Sequence, residues 1–189
     1  KGTCLVNDRK SAEAWMRQYP DCNIYEYLPG EEFTVDCFTK NNGDLLFVSG
    51  RKRSRINNGI SVKSEIASDY KKEIREIAEK INSAMRFRGA WFFQLKEDCN
   101  GSLSLMETAC RIAGSSAICR MRGVNLPLMT LFDHFEYSVD VINQNFEIKQ
   151  DRALNNVYKT NIKFNVAYID FDDCMLINNK INTDMIKLV

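Results

Sequence analysis

Residues 90–111 read AWFFQLKEDCNGSLSLMETACR, and this stretch decides the fold that the sequence predicts. Two runs within it, Ala90–Leu95 and Leu103–Glu107, have the apolar and aromatic content that is typical of strands. Between them lies Asp98-Cys99-Asn100-Gly101, whose residue types favour a tight turn. The two strands are therefore expected to pair, with polar side chains at facing points.

The neighbouring segments alternate between strand-like and helix-like patterns. Ser68–Phe87 has the strongest helical pattern, with Ile74, Ile77 and Ile81 on one apolar face, and Gly89 can end the helix. Upstream, an expected hairpin joins Phe33–Phe38 and Leu45–Val48 through Asn41–Asp44. Further expected elements are strands at Thr3–Val6 and Asn23–Leu28, a helix that Ser11 caps and Pro20 closes, helices at Gly114–Met121 and Leu126–Phe135, and β-prone chain over Tyr137–Phe164.

Composition indicates a water-soluble globular chain and excludes several classes of function. The 189 residues contain 44% hydrophobic residues, and 26 basic against 25 acidic residues leave a net charge of +1. This balance does not predict nucleic-acid binding, and no apolar run is long enough for a membrane span. A single histidine, His134, excludes a site with two histidine ligands.

The seven cysteines form no CxxC pair. Those with apolar neighbours, Cys4, Cys37, Cys110 and Cys119, predict reduced, buried thiols and a cytoplasmic location.

Two polar constellations suit phosphate chemistry. Gln94 and Glu107 supply hard oxygen ligands for Mg²⁺, and Arg111 can offer a bidentate fork to a phosphoryl or carboxylate oxygen. An ordinary polar pair between strands with a surface arginine explains the same residues. The basic run Arg51–Arg55 can attract phosphate, or it can be a solvated basic loop.

Two acidic constellations remain open in the same way. Glu26 and Glu32 flank a Pro-Gly turn that brings them to one corner, where they are either functional or surface carboxylates. Asp170 and Asp172 follow the apolar run Val166–Ile169, which is typical of a buried strand. Such carboxylates can act as nucleophile and proton donor around Mg²⁺, or belong to an acidic loop.

Taken in order, these pieces resemble an ATP-grasp enzyme of the carbamoyl-phosphate-synthase-like branch, over roughly residues 1–160. The resemblance implies an α+β fold: an ATP-grasp C-terminal lobe with a largely antiparallel sheet and packed helices. It implies a ligase that joins a carboxylate to a nucleophile through an acyl phosphate. The stretches that carry it are EYLPGEEFTVD at 26–36, Arg51-Lys52-Arg53 with Gly59, RGAWFFQ at 88–94, LMETACRIAG at 105–114 and GVNLP at 123–127.

The family pattern assigns expected functions to individual residues. Glu26, Tyr27 and Leu28 match the linker that meets adenine, with Met106 against the ring, and Glu32 matches the ribose-binding carboxylate. The remaining assignments concern the phosphates: Gln94 and Glu107 match the Mg²⁺ ligands, Arg111 matches the arginine at the transferred phosphoryl group, and Arg51 and Arg53 match basic positions near the phosphates. ATP and Mg²⁺ are thus the expected cofactors. The carboxylate substrate, the acceptor and the oligomeric state are not specified by the sequence.

Two departures from the pattern affect the expected activity. The family usually has Glu-x-Asn-Pro-Arg, whereas here Ala109 stands in the place of the asparagine that reaches a second metal. The chain also begins at Lys1-Gly2, which resembles the end of the glycine-rich phosphate loop. We therefore expect half of an ATP site, with a truncated ATP-grasp domain over residues 1–163 and no turnover by this chain alone.

Residues 164–189 resemble the opening of a HAD-type phosphohydrolase, in a domain that is cut short. By that pattern Asp170 is the nucleophile and Asp172 the acid/base, with Cys174 in the place of the usual threonine. Two alternatives to the ligase stay open. One is a nucleotide-binding or interaction module without turnover, and the other is the substrate-recognition part of a HAD-type phosphohydrolase.

Overall fold

The computed structural model describes residues 3–57, 59–153, 156–163, 165, 176–177 and 180–181. Within these ranges no helix is long and apolar enough to cross a bilayer. The helices and strands, in chain order, are α1 Arg9–Gln18, β1 Glu32–Thr39, β2 Leu45–Asn57, β3 Ile60–Ile66, α2 Lys71–Met85, β4 Gly89–Glu97, β5 Leu103–Ala109, α3 Ala117–Met121, α4 Leu126–His134, β6 Ile148–Arg152, β7 Asn156–Thr160, β8 Leu176–Ile177 and β9 Lys180–Ile181.

The main sheet has seven strands in the order β5-β4-β1-β2-β3-β6-β7. Every neighbouring pair in it is antiparallel. With helices packed on it, the chain has the expected α+β fold. β8 and β9 form a separate two-stranded antiparallel pair.

One face of the sheet packs against α2. Phe33, Val35 and Trp91 on this face are buried with Ile74 and Ala78 of the helix. Burying a side chain such as Ile74 stabilises the fold by roughly 1.5–3 kcal/mol. The closeness of the packing is visible at Gly50, where an added Cβ would lie 2.4 Å from Ile74 Cδ1.

The apolar face of α2 agrees with the sequence prediction in part. Ile74 is fully buried, whereas Ile77 and Ile81 are half-buried at the flank of the same cluster. The helix ends earlier than expected, because Arg86 takes the left-handed conformation (φ 50°) and caps it through Asn82 O. Gly89, the expected stop, instead begins β4.

The other face of the sheet is covered over only part of its area. Phe38, Phe47 and Ile148 pack there against Ile118 of α3 and Leu126 of α4. Among the described helices, none packs over the part of this face near the start of β1, and the side chains there are polar. The candidate site lies on that uncovered part.

Several expected elements differ from the structure. Thr3–Val6 and Asn23–Leu28 are not strands. Among the described residues, neither segment pairs with a strand, and an extended segment needs such a partner for its backbone hydrogen bonds. Arg51–Arg55 is not a loop but lies inside β2. The HAD-like motif, with Asp170, Asp172 and Cys174, lies outside the described residues, as does the expected strand Val166–Ile169.

Candidate functional site

Pairing across three strands sets the positions of the polar side chains. Thr34 of β1 lies opposite Gln94 of β4, and Gln94 lies opposite Glu107 of β5. On the other side of β1, Thr34 lies opposite Arg51 of β2. Residues directly opposite one another in antiparallel strands project to the same face. The four side chains therefore share the uncovered face of the sheet.

Hydrogen bonds join Glu32 to Glu107 across that face. Arg53 Nη1 donates to Glu32 Oε1 and, at 2.8 Å, to Gln94 Oε1. Gln94 Nε2 in turn donates to Glu107 Oε1 at 2.7 Å. Lys96 Nζ lies 3.7 Å from the other oxygen of Glu32. Glu32, Arg53, Gln94 and Glu107 thus form one connected network, named here the carboxylate network.

Arg53 is the most constrained member of this network. Its side chain is 7% exposed, and Nη2 donates to the carbonyl of Gly59 at 2.6 Å. Its Nε is buried and has no hydrogen-bond partner among the described residues. A buried donor without an acceptor costs free energy, so this guanidinium is poised to gain from a further acceptor.

Arg51 has a different environment from the one that the sequence suggested. Its guanidinium and the Asp36 carboxylate are each 1% exposed, with 2.8 Å between Nε and Oδ2. Nη1 donates to Ser115 Oγ at 2.6 Å. Arg51 therefore ties β2 and β1 to the loop that follows β5, although it still contributes to the wall of the cleft described next.

A cleft of about 240 Å³ adjoins the carboxylate network, and we name it the arginine cleft. Its charged lining consists of four arginines, Arg51, Arg53, Arg111 and Arg152. Arg111 is exposed, and its guanidinium carbon stands 4.8 Å above the centre of the Phe92 ring. Within the described ranges neither Arg111 nor Arg152 forms an ion pair. Two uncompensated guanidinium groups therefore face one cleft, which favours an anionic ligand.

Sequence reasoning missed Arg152, Asp36 and Ser115. Arg152 is the last residue of β6 and lies 41 residues after Arg111, and no motif surrounds it. Its guanidinium lies close to Gly114, where an added Cβ would be 3.2 Å from Arg152 Nη1. The one available signal was the glycine itself, which leaves space for an incoming side chain.

The residues expected around adenine are not joined to the carboxylate network. Glu26 and Tyr27 are exposed, Leu28 is half-buried, and none of them bonds to the network in the described part of the chain. Met106 is 50% exposed at a β-bulge, where Leu95 pairs with Leu105 and Gln94 with Glu107. A bulge of this kind changes the direction in which the neighbouring side chains point. The adenine assignments stay predictions.

The ligand set available for a metal is small. The described residues contain no group of three or more histidine, cysteine or acidic side chains that could hold a metal ion. Gln94 and Glu107 approach closely enough to share one ion, and Glu107 is exposed. Mg²⁺ keeps several waters and is commonly held by one or two carboxylates plus substrate phosphates, so this pair fits it.

The cysteines that were expected to be buried differ in their exposure. Cys37 and Cys119 are buried as expected, but Cys4 and Cys110 are exposed. Burial, with a smaller contribution from the Asp36 carboxylate, raises the pKa of the Cys119 thiol. A thiol with a raised pKa is protonated at neutral pH and is a poor nucleophile.

The family model for "ATP-grasp in the biosynthetic pathway with Ter operon" matches residues 18–150. The chain belongs to this ATP-grasp family. The match includes every residue of the carboxylate network and all of the arginine cleft except Arg152. No curated protein sequence matches the chain.

Solved ATP-grasp structures share the fold. N5-carboxyaminoimidazole synthetase from Staphylococcus aureus, complexed with ADP, has a TM-score of 0.68 at 18% identity, over 79% of this chain and 43% of its own. A biotin carboxylase–β-γ-ATP complex from Campylobacter jejuni has a TM-score of 0.62 at 19% identity, over 76% and 35%. The biotin carboxylase domain of Hydrogenobacter thermophilus 2-oxoglutarate carboxylase, in complex with MgADP, ADP and bicarbonate, has a TM-score of 0.59 at 13% identity. The match covers 67% of this chain and 30% of that one. This chain thus spans less than half the length of each of these relatives.

Proposed function

We propose that this ATP-grasp chain contributes the C-terminal part of the active site of an ATP-dependent carboxylate ligase that works through an acyl phosphate. The observation that carries the proposal is the pair of uncompensated arginines, Arg111 and Arg152, beside the carboxylate network. Phosphoryl transfer to a carboxylate brings anions together and depends on positioning and on neutralising their charge. The similar structures support the nucleotide, since they are complexes with ADP, β-γ-ATP and MgADP.

In the proposed arrangement, ATP lies on the uncovered face of the sheet. Glu32 binds the ribose hydroxyls, Glu26–Leu28 and Met106 meet the adenine, and Arg111 contacts the γ-phosphate. Arg53, with its buried and unpaired Nε, supplies a further donor close to the phosphates. Arg152 lies across the cleft from the phosphate position and binds the carboxylate substrate.

Gln94 and Glu107 would hold Mg²⁺, with the phosphates and water completing its coordination. Mg²⁺ supplies charge neutralisation for the transferred phosphoryl group. For Gln94 to offer its oxygen, the bond from Arg53 Nη1 to Gln94 Oε1 must be released. Ala109, half-buried in β5 opposite Phe92, contributes no ligand. The proposal therefore limits this chain to two protein ligands.

The chemistry then follows in two balanced steps. A carboxylate oxygen forms a bond to the γ-phosphorus while the bond from that phosphorus to the β–γ bridging oxygen breaks, and ADP leaves. A nucleophile next attacks the acyl carbon and loses its proton to solvent, the bond from that carbon to the phosphate oxygen breaks, and phosphate leaves with one oxygen from the original carboxylate. Arg111 and Arg152 stabilise the negative charge in both steps by holding the phosphoryl group and the carboxylate close together.

Isotope transfer in the full-length protein tests this proposal. Carboxylates labelled with ¹⁸O are supplied as a panel with Mg-ATP, and ³¹P NMR detects ¹⁸O in the released phosphate. The label should appear only with a productive carboxylate, and Arg111→Gln should abolish it. Arg120→Gln is the matched control, because Arg120 is exposed on α3 outside the cleft. Carboxylate-dependent ADP release without label in phosphate would contradict the acyl phosphate.

A second candidate function is a nucleotide-binding module without turnover. Ala109 favours it, because an alanine side chain cannot ligate a second metal ion. It predicts Mg-ATP binding by the full-length protein with no ADP release over the whole panel. A third candidate, recognition of substrate for a HAD-type phosphohydrolase, depends on Asp170 and Asp172. It predicts phosphatase activity that Asp170→Asn abolishes and Arg111→Gln only weakens through substrate binding.

A further inference from the structure

A second, larger cleft of about 620 Å³ lies where the end of β3 departs from β2. Its walls come from Val48–Gly50 of β2, from Ile66–Ser68 at the end of β3, and from the first turn of α2. Arg122 closes it together with Asn143 and Asn145. None of its lining residues belongs to the arginine cleft. We name it the lysine cleft.

The charge in the lysine cleft has one sign. Lys71, Lys72, Arg75 and Arg122 line it, and no acidic residue does. Lys72 and Arg75 pair only with exposed glutamates one helical turn further along α2. Exposed pairs of this kind are weak, so either cation can exchange its glutamate for a bound anion at little cost in free energy. Lys71 has no ion pair among the residues that the structure describes.

Arg122 is the buried member of this group. It is 6% exposed, and its guanidinium has no carboxylate partner in the described ranges. Nε donates to the Gln144 carbonyl at 2.8 Å, and Nη2 donates to Asn145 Oδ1 at 3.2 Å. These bonds hold the wall of the cleft but leave the charge uncompensated, and burial lowers the pKa of Arg122. Because a buried, uncompensated charge is costly, an anion bound here would offset that cost.

The rest of the cleft suits an organic group. Val48, Ala67 and Ile74 provide an apolar floor. Ala67, directly after β3, donates its backbone N–H to Gly50 O at 3.0 Å. Among the described strands, the residues of β2 before Gly50 pair with β1 and not with β3, so the cleft lies beside them. An apolar floor with a few converging polar groups, in a volume of several hundred Å³, is typical of small-molecule sites.

We propose that the lysine cleft binds a phosphorylated small molecule, separately from the ATP site. Its phosphate contacts Lys71, Lys72 and Arg122, and its organic portion lies on Val48 and Ile74. Several basic groups lining one cleft match a phosphate dianion better than a singly charged carboxylate. The site does not depend on the ligase proposal, because no residue of the arginine cleft takes part.

Calorimetry with sodium pyrophosphate tests this site in the full-length protein. All titrations use an Arg111→Gln background, which weakens binding of the probe in the arginine cleft. Saturable binding should persist in that background. Adding Lys71→Gln and Lys72→Gln, both at exposed side chains, should weaken it by about tenfold or more, the loss expected on removing charge-assisted hydrogen bonds. Circular dichroism checks that the variants remain folded.

A control variant and a second ligand give the test its opposing outcomes. Lys80→Gln changes an exposed lysine on the same helix outside the cleft, and it should leave the affinity unchanged within about twofold. Citrate at the same ionic strength should bind more weakly than pyrophosphate. No saturable binding in the Arg111→Gln background, an equal loss in Lys80→Gln, or tighter binding of citrate would each overturn the proposal.

Discussion

Gln94 Nε2 donates to Glu107 Oε1 at 2.7 Å, and this bond joins the two strands that the sequence pairs most clearly. The same glutamine accepts from Arg53, so a residue on β4 links an arginine on β2 to a carboxylate on the edge strand β5. The amide therefore stands between a cation and an anion. Gln94 and Glu107 could hold Mg²⁺ only if Gln94 gave up its bond from Arg53, and Arg53 would keep its bonds to Glu32 and to the Gly59 carbonyl.

Glu107→Gln in the full-length protein should lower ATP-dependent turnover by about 100-fold or more, because it removes the one carboxylate among the two proposed Mg²⁺ ligands. The measurement is steady-state ADP release across a range of Mg²⁺ concentrations. Glu73→Gln, at an exposed position in the first turn of α2, is the matched control. Unchanged turnover and Mg²⁺ dependence in Glu107→Gln would remove Glu107 from the metal site.

Glu32→Ala should weaken ATP binding by about 1–3 kcal/mol, the usual scale for losing a charge-assisted hydrogen bond. The substitution also leaves Arg53 without its ion-pair partner, so thermal unfolding is measured beside calorimetric ATP affinity. Glu13→Ala on α1 serves as the control, since its pair with Arg9 is exposed. Full ATP affinity in a folded Glu32→Ala variant would contradict the ribose assignment.

Asp36→Asn should destabilise the protein by about 3–5 kcal/mol, because it leaves the Arg51 guanidinium buried without its counter-ion. Denaturant unfolding followed by tryptophan fluorescence reports on this domain, since Trp91 is in its core. Replacing both partners, Asp36→Leu with Arg51→Met, should cost less than Asp36→Asn alone. An Asp36→Asn variant as stable as the wild type would show that the ion pair is not needed for the fold.

The hydrogen bond of the Tyr70 hydroxyl predicts that the folded state loses stability at alkaline pH. This hydroxyl donates to Glu97 Oε1, and this bond, with smaller effects of burial and the nearby carboxylates, raises the pKa of Tyr70 from 10.0 to about 12. The folded state therefore holds the proton more tightly than the unfolded state. The stabilisation is complete below pH 10 and is lost as the pH rises toward about 12.

The comparison of wild type with Tyr70→Phe measures this effect. The difference in thermal unfolding midpoint between the two should be constant from pH 8 to about 9.5 and should shrink between pH 10 and about 12. Tyr25→Phe, at a position 82% exposed, controls for general alkaline effects. A difference that stays constant through pH 12 would show that the Tyr70–Glu97 bond does not set the titration.

Residues 1–189 alone should bind Mg-ATP weakly or not at all, because the described residues include no glycine-rich loop that could supply backbone donors to the phosphates. Calorimetry of this chain with Mg-ATP is the measurement, beside the full-length protein under the same conditions. Micromolar affinity in the short chain would show that the phosphate site is complete within the residues described here.

The sequence by itself determined the parts of the protein that depend on near neighbours in the chain. The apolar spacing in α2, the turn residues between β1 and β2, and the turn at Asp98–Gly101 all act over a few residues. The short turn sets the register of the hairpin as far as Leu95 opposite Leu105, whereas the β-bulge beyond that pair, which places Gln94 opposite Glu107, is not specified by the turn. Arg111 could be expected near Glu107 because it lies only four positions later in the chain.

Only the tertiary structure decided what depends on contacts between distant segments. Arg51 could equally have been a surface cation, and its burial follows from meeting Asp36 on the neighbouring strand and Ser115, 64 residues later in the chain. Arg152 enters the arginine cleft because β6 pairs with β3, which no local pattern specifies. A strand also needs a neighbour, so Asn23–Leu28, with strand-like residues, stays outside the sheet. Chain folding brought these groups together, and local propensity carries no information about which distant segment will become a partner.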